Sequence, residues 1–143
     1  MTKEKYPDFC LKGITNEKHI DECGSISNEA FRWDESKNNL GYNESSINWM
    51  DNEDVIKITL NQKNSDGSFH FKAGVAKLSK AQIDRCINLN TIERISYERR
   101  PVEDNKYHGN LLLKKDLDKS TKNRLIAQII LSQEEFIPQQ KDG

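Results

Sequence analysis

SFHFKAGVAKLSKAQIDRCINLNTIERISYERRPVEDNKYHGNLLLKK, running from Ser68 to Lys115, is the stretch whose reading decides the fold. Phe69 to Lys77 alternates: Phe69, Phe71, Ala73 and Val75 share one parity, His70, Lys72, Gly74 and Ala76 the other. A period of two predicts a strand. Ser79 and Gln82 then form a Ser-x-x-Gln capping box, which opens a helix with Leu78, Ile83, Cys86 and Ile87 on its buried stripe. Thr91 to Arg99 reads as a short strand that Arg100-Pro101 stops, because proline lacks a donor and restricts the residue before it. Tyr107 to Lys114 is the next strand, with Leu111 and Leu113 opposite His108, Asn110 and Leu112.

Working outward, Asn61 to Ser68 is a hairpin connection marked by Asp66-Gly67. Val55 to Leu60 before it is β-branched and alternating, and predicts a strand. The acidic residues from Asp51 to Asp54 leave a helix start as the lesser option. Asp34 to Ser46 is polar and reads as a loop, closed by an apolar islet around Trp49. Phe9 to Ile20 suits a short strand or irregular edge, with Ile26, Phe31 and Trp33 as core anchors. Downstream, Leu125, Ile126, Ile129 and Ile130 recur at helical spacing after the cap candidates Asp118 and Ser120, and Ile137-Pro138 ends that helix.

This order of elements predicts an α+β fold: a mainly antiparallel sheet of about four strands with two principal helices packed on one face. The length of 143 residues suits a single domain over 1–143, with a loose N-terminal arm (1–8) and a short C-terminal tail (138–143).

Hydrophobic residues make up 34% and charged residues 31%, with a net charge of −1. That balance supports one core and does not point to nucleic acid, whose binders carry a basic excess. No apolar run approaches the roughly 18 residues of a membrane span, and residues 1–8 lack the apolar core of a secretory signal. The three cysteines are odd in number and irregular in spacing, which suits a reducing compartment without disulfides. The expected location is the cytoplasm, with no membrane association.

Cys10, His19 and Cys23 supply one close pair rather than the two of a structural zinc site, so no metal is implied. Glycine-rich phosphate loops and nucleophile elbows are absent, and no cofactor is implied.

Two functional expectations follow. The first is a small cytosolic, prokaryotic, non-catalytic interaction module. It would bind a protein partner through Trp33, Trp49 and the edge carrying Arg94, Arg99 and Arg100, since Trp and Arg are favoured at binding hot spots. The second is a small enzyme on a phosphate-containing substrate, a nucleotide or RNA. There His70 and His108 serve as general acid and base on one sheet surface with Lys72, Asn110 and Lys114, while Arg99, Arg100 or Lys114 holds the phosphate. The tripeptides His70-Phe71-Lys72 and His108-Gly109-Asn110 lack the hydroxyl of the His-x-Thr/Ser pairs in two-histidine phosphoesterases.

Overall fold

A computed structural model describes residues 6–87 and 95–140. In chain order its elements are β1 (Phe9–Ile14), β2 (Asp34–Glu35), β3 (Tyr42–Trp49), α1 (Asp54–Leu60) and β4 (Gly74–Ser79). They continue with α2 (Lys80–Ile87), β5 (Ser96–Arg99), β6 (His108–Lys114), α3 (Lys119–Leu131) and β7 (Gln133–Pro138). The α+β class and the antiparallel pairing stand. The sheet has seven strands among the described residues rather than about four, in the order β5-β6-β3-β1-β4-β7 with β2 against β3.

Three differences from the expected elements account for the larger sheet. Tyr42–Trp49 is an eight-residue strand although its first half is polar, because β6 pairs with it from Tyr42 to Asn48. Gln133–Pro138 is a strand on β4, not the end of the last helix. α3 closes at Leu131, where the Ser132 amide bonds the Gln128 and Ile129 carbonyls. Phe9–Ile14 is an interior strand between β3 and β4, not an edge.

One predicted strand is a helix and another is a strand only in its second half. Val55–Leu60 belongs to α1. The Asn52 carboxamide accepts the Asp54 amide at 2.9 Å, the Thr59 hydroxyl donates to the Val55 carbonyl at 2.7 Å, and Val55, Thr59 and Leu60 are buried together. These bonds and the helical spacing of the buried positions override the β-branched composition. Phe69 to Ala73 is irregular, and the strand begins only at Gly74. Gly74 has φ 135°, and the Ile137 carbonyl lies where its Cβ would be, so the turn into β4 needs glycine there.

The Asp118 cap is in place, and of the Ser79–Gln82 capping box one half is, since the Ser79 amide donates to the Ser132 carbonyl at 2.9 Å instead of to Gln82. Ser79 Oγ accepts the Gln82 amide at 3.2 Å. Asp118 Oδ1 accepts the Thr121 amide at 2.7 Å, a bond that holds its carboxyl below the usual range. Asp118→Ala is expected to lower stability by removing the acceptor of the Thr121 amide. A shift of the urea midpoint at unchanged slope would read this loss.

Ile83 of α2 and Leu125, Ile126 and Ile129 of α3 share one apolar cluster with Cys10, Ile14, Ile47, Trp49, Leu78 and Leu111 from the sheet. The side chains of Cys86 and Ile87, also expected on the buried stripe of α2, lie outside the described set. α1 meets the strands on the other parity, where Thr59 touches Asn48. Tyr6, in the expected loose arm, packs at a tilt on Trp49 with ring centroids 4.7 Å apart. Gln139, in the expected tail, donates to the Leu60 and Phe71 carbonyls at 2.8 and 3.0 Å. No helix among the described residues is long and apolar enough to cross a membrane.

β3 has a divided neighbour. Its C-terminal end pairs with β1 only at Cys10↔Trp49 and Leu11↔Asn48, while its Asn43 and Glu44 pair with β2. β1 stays on β4 along its whole length, from Phe9↔Ser79 to Ile14↔Gly74. The two strands therefore part after Leu11 and leave a fork beside Ser45, Ser46 and Ile47. That fork positions the site.

Candidate functional site

A cleft of about 420 Å³ opens at the fork. It is of the size that takes a small organic ligand. β1 contributes Lys12 and Gly13, β3 contributes Ser46 and Asn48, and α1 contributes Thr59. Gln62, His70 and Phe71 come from the loop after α1, and Asn105 and His108 come from the start of β6 and the turn before it. Arg32 and Asp34 form an ion pair of 3.2 Å on the remaining wall.

Lys12 fills the place where β1 leaves β3. Its Nζ donates to Ser45 Oγ at 3.1 Å and to the Ser46 carbonyl at 3.0 Å, satisfying a strand acceptor that β1 no longer reaches. The side chain is only 7% exposed. Burial pushes its amine down to about 8, against the opposing pull of Cys10 and Asp34. The Cys10 thiol is pushed up to about 12 by its own burial, with Lys12 and Lys80 opposing.

The floor is a chain of amides. Asn48 Nδ2 donates to Thr59 Oγ1 at 2.8 Å, and Asn48 Oδ1 accepts Asn105 Nδ2 at 2.7 Å. Asn105 Oδ1 in turn accepts the Tyr107 amide at 3.1 Å. All three of Asn48, Thr59 and Asn105 are buried. A linked network of this kind fixes the wall that carries His108.

Both histidines reach this cleft, from different surroundings than expected. His108 opens β6, and its Nδ1 lies 2.9 Å from the Arg100 carbonyl. A carbonyl only accepts, so Nδ1 carries hydrogen and Nε2 is the remaining proton site. His70 is on the irregular loop rather than on a strand, and its amide donates to the Gln62 carbonyl at 2.8 Å. Its Nδ1 lies 2.8 Å from Asn64 Oδ1, and the Asn64 Nδ2 donates to Ser68 Oγ at 3.0 Å, which orients that carboxamide. His70 therefore has the same tautomer as His108, assigned from the bonding pattern. Phe71 packs edge-on to His70 at 4.7 Å, and its ring occupies the space a side chain on Gly13 would need.

The other predicted site residues lie elsewhere. Trp49 is fully buried and donates through Nε1 to the Glu98 carbonyl at 3.0 Å, so it belongs to the core and not to a binding surface. Trp33 is half-buried and stacks on Phe31 at 6.1 Å. Arg99 pairs with Asp51 through two bonds of 3.1 and 2.7 Å. Arg100 pairs with Glu44 at 3.0 Å, and Asn110, also buried, donates to Glu98 at 2.7 Å. Lys72 is exposed on the His70 loop, and Lys114 is exposed at the far end of β6, opposite Tyr42. Arg94 lies outside the described residues. Cys10 is buried and Cys23 exposed, and no group of three or more metal-ligating side chains occurs among the described residues.

Lys12, Asn48, Gln62, Phe71 and Asn105 are cleft residues that the sequence pattern did not single out. One signal was present: Lys12 is the sole charge in the run Phe9-Cys10-Leu11-Lys12-Gly13-Ile14. No protein-family model matches this chain, and neither curated proteins nor solved structures give a match.

Proposed function

We propose that the cleft binds a small phosphate-containing molecule and performs general acid–base chemistry on it. The observation that carries this reading is that His70 and His108 both line one cleft, each with Nδ1 hydrogen-bonded and Nε2 left to exchange a proton. His108 is half-buried against a main-chain carbonyl and acts as the base on the attacking hydroxyl or water. His70 is exposed, is reprotonated from solvent, and gives its proton to the leaving oxygen. Positioned imidazoles of this kind contribute about 10²–10⁴ in rate.

The partner-binding alternative has less support. It needs Trp49 at the surface and Arg99 and Arg100 unengaged, whereas Trp49 is in the core and both arginines hold carboxylates.

The test is turnover of a panel of phosphomonoesters, phosphodiesters, 2′,3′-cyclic nucleotides and short RNA. His108→Ala and His70→Ala are each expected to lower kcat about a hundredfold with little change in KM. Panel-wide absence of turnover, together with imidazole NMR signals that ignore every phosphate compound, would remove the proposal.

A further inference from the structure

Among the described ion pairs none includes Lys12, although it is the one charged side chain among the buried residues of the described sheet. Buried ammonium groups ordinarily have a carboxylate partner, because an unpaired charge is costly away from water. The donors of Lys12 go to two neutral oxygens, Ser45 Oγ and the Ser46 carbonyl. An ammonium has three N–H donors; the Phe31 ring, its centroid 5.6 Å from Nζ, is the only other contact described for it, no carboxylate pairs with it among the described ion pairs, and the residue lines the cleft. The residues sequence reasoning assigned to phosphate (Arg99, Arg100, Lys114) line no part of that cleft.

We infer that the fork between β1 and β3 is an oxyanion seat in which the Lys12 ammonium pairs with the phosphate group of the ligand. This rests on the reading of the cleft as a phosphate-ligand site and adds which end of the ligand goes where. The phosphate enters the fork, and the remainder of the ligand lies toward His70 and Phe71.

The ion pair that the fold leaves unmade is then supplied by the ligand. Burial holds the free amine at about 8, and an anion beside it restores the charged form. Binding above that value must therefore draw a proton from solvent. The charged and titratable groups around Lys12 are Cys10 on its own strand, Asp34 on β2, Arg32 beside it, and His70 and His108 across the cleft. Subtracting a variant without the amine removes their contribution.

The experiment is isothermal titration with 5′-AMP, inorganic phosphate and adenosine as probes, at pH 7.0 and 8.5, each in two buffers of different ionisation enthalpy. AMP is expected to bind at least tenfold more tightly than adenosine. At pH 8.5 it should take up about 0.7 proton through Lys12, and at pH 7.0 about 0.1. Lys12→Met should lose both the preference for AMP and that uptake, and Lys12→Arg should bind AMP without it. Should Lys12→Met fail to fold, the AMP-to-adenosine ratio and the proton count of the unaltered protein decide the matter. Inorganic phosphate binding as tightly as AMP would support a seat for phosphate alone.

AMP bound equally by the unaltered protein and Lys12→Met, or bound with no proton uptake at pH 8.5, would overturn the seat. If His70→Ala and His108→Ala still mattered to turnover, the acid–base reading would survive that result. Dependence on Lys12 without dependence on either histidine would instead keep the seat and remove the acid–base chemistry. No probe binding at either pH overturns both.

Discussion

Trp49→Ala is expected to lower the free energy of unfolding by about 3–5 kcal/mol, the range for emptying a large aromatic site in a core. The indole is 0% exposed, lies 4.7 Å from the Tyr6 ring and meets Tyr97 edge-on at 5.7 Å. Its Nε1 bond to the Glu98 carbonyl ties β3 to β5 across β6. Gly109 stands where it does because the same indole and the same carbonyl occupy the space of a Cβ. Nothing nearby can move in to fill the hole without disturbing three strands. Urea unfolding followed by far-ultraviolet circular dichroism measures the loss. A cost below about 1 kcal/mol would instead fit a solvent-facing tryptophan, whose removal weakens binding and spares stability.

The second large effect is a stability profile that rises and then falls in alkali. Lys12 has a folded value near 8 against an ordinary 10.5. Between those values the unfolded chain holds a proton that the folded chain has released, so stability increases with pH across that window. The full span is worth about 3 kcal/mol. Cys10 acts in the opposite sense: its unfolded thiol ionises from 9.0, while the folded thiol keeps its proton to about 12. Stability attributable to Cys10 is intact below pH 9.0 and is lost as pH rises through the folded value. Tyr97, raised by burial and by its bond to Asp84, adds to the fall above pH 10.0.

The unaltered protein should therefore gain stability from pH 8 to 9, level off, and decline above about 10.5 as Lys12 ceases to compensate. Lys12→Met should show no gain and begin to decline near pH 9. At pH 7 its net effect is small, because relief of the buried charge is offset by the Ser46 carbonyl left without its donor. Urea midpoints at half-unit steps from pH 7 to 11 test this. A rise from pH 8 to 9 that persists in Lys12→Met would assign it to another group.

Much of the architecture was readable where local signals and tertiary demands agree. α3 combined a helical apolar stripe with an Asp118 cap, and the Ser79 cap began α2 where the motif put it. Val55–Leu60 misled because its composition is β-branched, while its hydrogen bonds come from Asn52, Thr59 and Asn48, none of which alternation reports. β3 was hidden for the opposite reason. Ser45 is polar because its hydroxyl accepts from the Lys12 amine, Ser46 is exposed, and Glu44 answers Arg100, so a central strand looked like a loop. The histidines stood out as a pair, but the place of His70 on the cleft depends on a loop fold fixed by Asn64, Ser68 and Gln62. Lys12 did not, because its role comes from strand divergence, which appears only once the register of β1 on β3 and β4 is known.

The central position of β1 also bears on how the chain reaches this state. Phe9 aligns with Ser79, Cys10 with Trp49, and β4 must wait for Gln133 to Pro138 on its far side. Only β2–β3 and β5–β6 can zip up as neighbours along the backbone. A topology dominated by such distant closures acquires its native pairings late, on the order of milliseconds to seconds rather than microseconds. During synthesis β1 would emerge early and stay without its partner β4 until Gly74–Ser79 had left the ribosome.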